Sequence, residues 1–211
     1  MSHKPKFIVF EGLDGAGKTT QIRLLAKYLE ENGERVILTA EPTAYESGKA
    51  LRAALSGKIR KTPCEMAVMF IADRIAHNKN EADGIERLLQ DGYTVISDRY
   101  YYSSLAYQGS ITDREWVARM NLDCPEIRKP DLCIFLDLSP EESMKRITLN
   151  RKEGDREIYE TLDQLTRIRE TFLSVFEELK RDERRGEDIR FVDASGTIGE
   201  VAEQIRSMVL S

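Results

Sequence analysis

Residues 7–20 read Phe7-Ile8-Val9-Phe10-Glu11-Gly12-Leu13-Asp14-Gly15-Ala16-Gly17-Lys18-Thr19-Thr20. The apolar run Phe7–Phe10 is too short for a helix and fits a strand buried on both faces. The glycines that follow let the backbone curl, so that successive N–H groups can point inward at an anion. A helix predicted to begin near Lys18 adds the positive end of its dipole. Gly12 to Thr19 match the spacing G-x-x-x-x-G-K-[ST], after a strand and before a helix, where that motif has to lie. Lys18 can reach the β- and γ-phosphates of a nucleoside triphosphate, and the Thr19 hydroxyl can ligate Mg²⁺.

Outward from this loop, two kinds of segment alternate. Short apolar runs at Val36–Thr39, Thr94–Ser97, Leu132–Leu136 and Ile189–Val192 read as further buried parallel strands. Between them lie helical patterns. Ile158, Leu162, Leu165, Ile168, Phe172, Phe176 and Leu179 recur in steps of three and four, and Ile198, Val201, Ile205 and Met208 do the same near the C-terminus. The alternation predicts an α/β fold of three layers, and the Gly12–Thr19 motif makes the expected type a P-loop NTPase sandwich. Its five-stranded parallel sheet carries helices on both faces. No linker interrupts it, so one domain over residues 1–211 is expected, and the mixed-charge stretch Lys180–Asp188 reads as a solvated loop. Ligands on such sheets bind beyond the carboxyl ends of the strands.

Composition narrows the function. The 211 residues are 41% apolar and 33% charged, and the net charge of −5 (32 basic against 37 acidic) disfavours a general nucleic-acid binder. No apolar run approaches the roughly 18 residues of a membrane span. The residues before Phe7 lack the apolar stretch of a signal peptide. Cys64, Cys124 and Cys133 suggest neither a disulfide framework nor a zinc site. A cytoplasmic protein is expected.

The other strand ends carry Glu41-Pro42-Thr43, then a helix with Arg52, and Asp98-Arg99-Tyr100 followed by residues 101–109. A GTPase would need Asn-Lys-x-Asp after a late strand. Asn78-Lys79-Asn80-Glu81 falls too early and at a helix end. On the helix predicted from Pro63, Phe70, Arg74 and His77 share one face with Asp73 beside them, while Ile71 and Ile75 mark the face toward the core.

Together these pieces resemble the thymidylate kinase family over nearly the whole chain. They are Phe10–Thr20, Glu41-Pro42, Phe70-Ile71-Ala72-Asp73-Arg74-Ile75-Ala76-His77, Asp98-Arg99-Tyr100 and Ser103–Gly109. The resemblance implies transfer of the γ-phosphoryl of ATP to dTMP, giving dTDP and ADP, with Mg²⁺ and no covalent enzyme intermediate. ATP would lie on Gly12, Leu13, Asp14, Gly15, Ala16, Gly17, Lys18, Thr19 and Thr20, with Arg146 and the turn Ala194–Thr197 near the adenine. Thr19 would hold Mg²⁺, with Asp98 joining through water. On the acceptor, Phe70 would stack on thymine and Arg74 would bond its edge, with Ser104 and Gln108 completing the pocket. Tyr107 would pack under the deoxyribose, Asp14 would accept from the 3′-OH, and Arg52 and Arg99 would hold the monophosphate near Glu41.

The phosphate loop has no arginine, so the resemblance assigns its catalytic charge to a lid at about 146–158, through Arg151 or Arg156, beside Lys18 and Arg99. It also implies a homodimer. This chain departs from many members where Thr43-Ala44-Tyr45 follows Glu41-Pro42 in place of two glycines. The competing readings are a deoxynucleoside kinase of the same fold and a non-catalytic ATP-binding module. The first is disfavoured by Arg52 and Arg99, which suit an acceptor already phosphorylated. The second is disfavoured by the presence of Lys18, Arg99 and the lid cations.

Overall fold

The computed structural model describes residues 6–150 and 161–210. Its strands are β1 (Phe7–Gly12), β2 (Val36–Ala40), β3 (Thr94–Asp98), β4 (Leu132–Asp137) and β5 (Ile189–Asp193). They form one sheet in the order β2-β3-β1-β4-β5, with every pair parallel. All the predicted strands are present, and each runs one or two residues past its apolar run. The added residues include Glu11, Asp98, Asp137 and Asp193 at the carboxyl edge. Two of them are partnered there: Asp137 pairs with Arg169 (2.7 Å) and Asp193 accepts the Ser195 amide (2.9 Å).

The helices are α1 (Lys18–Glu31), α2 (Glu46–Leu55), α3 (Pro63–Lys79), α4 (Ile85–Gln90) and α5 (Tyr101–Tyr107). They continue with α6 (Arg114–Leu122), α7 (Pro140–Asn150), α8 (Leu162–Arg181) and α9 (Ile198–Leu210). Side chains alternate across a strand, and the two cores follow that alternation. Phe7, Val9, Cys133 and Phe135 face a core shared with α3, α5, α6 and α8, whereas Ile8, Phe10, Ile134 and Leu136 face α1 and α9. The apolar stripe of α8 buries Leu165, Ile168, Phe172, Phe176 and Leu179 as predicted, with the Phe172 and Phe176 rings against Phe135. Leu162 is exposed at the start of that helix, and Ile158 lies outside the described residues.

The charged stretch after α8 differs from expectation. Lys180 and Arg181 complete the helix. Glu187 accepts from the hydroxyls of Tyr101 (2.8 Å) and Tyr102 (2.6 Å), which ties the stretch to α5. Two buried phenols need acceptors, and a mixed-charge loop supplies one without leaving any periodic trace.

Candidate active site

The phosphate loop closes tightly. Gly12 has φ +145°, and a Cβ there would lie 2.7 Å from the Leu136 carbonyl oxygen of the neighbouring strand. Gly15 has φ +77°, and a Cβ there would meet the Ser143 carbonyl oxygen of α7 at 2.9 Å. Ser143 also donates its hydroxyl to the Asp14 carbonyl (2.5 Å), so α7 is seated on the loop. Lys18 is buried, its Nζ donating to the carbonyls of Gly12 (3.1 Å) and Leu13 (3.0 Å). Burial and then the nearby Arg99 charge pull its pKa below the ordinary lysine value, against the opposing carboxylates of Asp14, Asp98 and Glu11. An added polyanion would relieve that deficit. Helix α1 starts at Gly17 with no side-chain cap, which leaves its first N–H groups available to a ligand.

The β3–α5 turn faces the loop. Arg99 adopts φ +70°, a left-handed conformation that costs a non-glycine residue about 1–3 kcal/mol and concentrates at functional sites. Its Nη2 donates to Asp14 Oδ1 (2.6 Å) and its Nη1 to the Ser103 hydroxyl (3.0 Å). Thr19 Oγ1 donates to Asp98 Oδ2 (3.0 Å), while Asp98 Oδ1 is buried with no hydrogen-bond partner among the described residues. An orphaned carboxylate oxygen beside a hydroxyl is a hard-oxygen pair suited to a hydrated Mg²⁺. A cleft of about 400 Å³ opens over these groups, lined by Asp14, Lys18, Thr19, Glu41, Asp98 and Arg99 among others.

Across the cleft lies a buried polar network. Arg74 donates from Nε (2.9 Å) and Nη2 (2.6 Å) to Glu41 Oε2, and from Nη1 to Ser104 Oγ (3.2 Å) and Asn121 Oδ1. Among the described residues four of its five N–H groups are thereby used, leaving one on Nη2. His77 Nδ1 lies 2.9 Å from Glu41 Oε1 and its Nε2 lies 2.7 Å from Thr39 Oγ1. The carboxylate can only accept, so Nδ1 carries the hydrogen. Asp73 accepts from the Thr43 amide (2.8 Å), the Thr43 hydroxyl (2.6 Å) and the Ser47 hydroxyl (2.6 Å). These bonds hold the Thr43-Ala44-Tyr45 segment that stands in place of two glycines.

The predicted site residues divide accordingly. Gly15, Gly17, Lys18, Thr19, Thr20, Asp14, Glu41, Asp98 and Arg99 share the cleft. The side chains of Leu13 and Ala16 belong to the two cores. Phe70 packs by the small cluster of Leu51, Ala54 and Met66, and Ser104 and Gln108 are buried. Tyr107 lies beneath the Arg99 guanidinium, 5.3 Å from ring centre to Cζ. Arg52 donates to the Pro42 carbonyl (2.9 Å) and does not line the cleft. Arg146 donates to the Ala194 carbonyl (3.2 Å), which joins α7 to the turn after β5. Arg151 and Arg156 lie outside the described residues. Sequence reading passed over Asn121 and Thr39, and it gave no role to Glu11, Asp73 or His77. A buried polar residue inside a motif would have been the signal for Glu11.

A sequence model of the thymidylate kinase family matches residues 10–205. The chain belongs to the thymidylate kinase family. It is similar to a probable thymidylate kinase of Pyrococcus abyssi, 38% identical over 96% of this chain and 95% of that protein. A thymidylate kinase of Caldicellulosiruptor saccharolyticus is 36% identical over 98% of this chain and 96% of its own length. A probable thymidylate kinase of Methanococcus aeolicus is 39% identical over 95% and 93%. Family membership makes the chain a phosphotransferase, an ATP-dependent nucleoside monophosphate kinase. No helix among the described residues is long and apolar enough to cross a membrane.

Proposed function

We propose that this thymidylate kinase family member transfers the γ-phosphoryl of Mg-ATP in line to dTMP, with Arg99 as the cation that spans donor and acceptor. The observation that carries this reading is the strained Arg99 turn, which holds one guanidinium between Asp14 of the phosphate loop and Ser103 of α5. Donor phosphates take the amides of Gly12–Thr19 and the open start of α1. Lys18 exchanges its contacts to the Gly12 and Leu13 carbonyls for phosphate oxygens. The transition state is loose, so positioning and charge neutralisation carry the catalysis.

Thr19, with Asp98 joining through water, would hold Mg²⁺, which would supply charge neutralisation on the phosphates. On the acceptor side, Phe70 stacks on thymine and the remaining Arg74 N–H meets its edge, with Ser104 and Gln108 beside it. Tyr107 packs under the sugar, and Arg52 turns from the Pro42 carbonyl to the monophosphate. Arg146 lies by the adenine, and Arg151 or Arg156 completes the charge from a lid near 146–158 of a single domain. Family resemblance alone extends the reading to a cytoplasmic homodimer, which light scattering in solution tests.

The deciding experiment is ADP release with Mg-ATP against every nucleoside monophosphate and against thymidine. Turnover should be greatest with dTMP. Activity on thymidine without activity on dTMP would replace this reading with a nucleoside kinase.

A further inference from the structure

Glu11 is wholly buried near the end of β1, and it reaches the turn that carries Arg99. Desolvating a carboxylate costs several kcal/mol unless matched by hydrogen bonds. Here the match comes from one short segment. Glu11 Oε1 accepts the Tyr100 amide (2.9 Å) and the Ser103 amide (3.0 Å), and Oε2 accepts the Ser103 hydroxyl (2.7 Å). Tyr100 sits at the start of α5 and offers that helix no side-chain cap, so Glu11 caps it from another element.

The same bonds bracket Arg99. Its amide donates to the Phe10 carbonyl (2.9 Å), and its carbonyl accepts the Ser97 hydroxyl (2.8 Å). The next amide along the chain, that of Tyr100, is held by Glu11. The Arg99 guanidinium rests on the Ser103 hydroxyl, whose single hydrogen is already given to Glu11. Ser103 therefore presents only lone pairs to Nη1.

We propose that Glu11 is a positioning residue for phosphoryl transfer, fixing the backbone of Arg99 through Tyr100 and its guanidinium through Ser103. The proposal rests on the reading of Arg99 as the bridging cation. Burial pushes the Glu11 carboxyl above the usual carboxylate range, opposed by the Arg99 charge, the Ser103 hydroxyl, the Tyr100 amide and Lys18. Glu11 thus keeps its carboxylate oxygens on the segment that carries Arg99 although burial opposes its charge.

Glu11→Gln separates the two roles of the side chain. Its carbonyl oxygen must face the Tyr100 and Ser103 amides, so its NH₂ must face Ser103 Oγ. The Ser103 hydrogen then has to turn away from residue 11, and the hydroxyl, now accepting from the amide NH₂ as well as from Arg99 Nη1, holds the guanidinium less firmly. The cap is kept, and the guanidinium is weakened at Ser103 while it keeps its contact to Asp14. The experiment is a double-mutant cycle of Glu11→Gln and Arg99→Ala in the full chain, read as kcat and KM with Mg-ATP and dTMP, with Tm measured alongside. Glu11→Gln is expected to lower kcat about 10–100-fold, the scale of lost support behind a reacting group, while the ATP KM changes little. In the Arg99→Ala background the same substitution should change kcat less than about twofold, because groups acting as a unit are non-additive.

An equal loss in both backgrounds, or a fall in Tm with kcat intact, overturns the proposal. Near-normal turnover of Arg99→Ala alone overturns the Arg99 reading and the proposal with it, and that arm stands apart from the others. Ser103→Ala removes only the relay hydroxyl. It should show the same non-additivity if Glu11→Gln does not fold, and full additivity there equally refutes the proposal.

Discussion

The helices that carry the two halves of the site begin in opposite ways. Helix α1 opens at Gly17 in a left-handed conformation with no side-chain cap. Helix α3 opens with a complete capping box. Thr62 Oγ1 accepts the Glu65 amide (3.1 Å), and the Glu65 carboxylate accepts the Thr62 amide (2.8 Å). The first helix leaves its amides for a ligand, whereas the second satisfies its own and presents side chains instead. The donor side is accordingly built from backbone within a few residues of sequence. The acceptor side is built from side chains brought together over 30 to 47 residues, as in the Arg74 contacts to Ser104 and Asn121. A phosphate tail needs only oriented N–H groups, while a base needs shaped and charged walls.

Arg99 is where the two halves meet, so its loss should break the contrast most completely. Arg99→Ala is expected to lower kcat by about 10³–10⁵, the range found for arginines that neutralise a transferring phosphoryl group. ATP binding, followed by calorimetry, should persist, because Lys18 and the uncapped start of α1 remain to take the donor phosphates. A kcat within tenfold of the parent would show that charge is supplied elsewhere.

The second break is on the acceptor side alone. Removing one member of a buried ion pair strands the other, and such losses cost about 3–5 kcal/mol. Glu41→Ala leaves Arg74 without the carboxylate that takes two of its bonds. Thermal unfolding should show Tm lower by roughly 6–20 °C. An unchanged Tm would mean that Asn121, Ser104 and water suffice to satisfy the guanidinium. A smaller and more selective effect is expected of Phe70→Ala. Stacking on a base contributes about 1–3 kcal/mol, so the dTMP KM should rise by roughly tenfold. The ATP KM should stay within about twofold, and equal rises in the two constants would reject the stacking role.

The difference between the halves also explains what could be read from sequence. The phosphate loop was legible because its geometry is encoded locally: glycines, a lysine and a helix start in consecutive positions. The sheet was legible for a similar reason, since parallel strands buried on both faces must be apolar throughout. Asp98 and Glu11 escaped the strand boundaries because polarity at the carboxyl edge looks like the end of a strand. The acceptor network was harder. Asp73 and His77 share a helix with Arg74, and helical spacing put them near one another. Nothing local says that Asp73 will order Thr43, or that Asn121 will close the Arg74 guanidinium from α6. Those partners are set by how α2, α3 and α6 pack, which no periodic pattern states.

The smallest expected effect tests the contrast between the two helix starts directly. Thr62→Ala removes the side-chain acceptor of the α3 capping box, and an N-cap of this kind is worth about 1 kcal/mol. In a chain of this length that is a fall in Tm of roughly 2–4 °C. Saturating Mg-ATP should raise the Tm of the parent and of Thr62→Ala by the same increment. Its phosphates complete the start of α1 and touch nothing at the start of α3, and independent sites add to within a few tenths of a kcal/mol. If Mg-ATP instead recovered most of the Thr62→Ala loss, the start of α3 would be coupled to the donor site. The acceptor helix would then be drawn into order by the donor nucleotide, and the independence argued from its closed cap would fail.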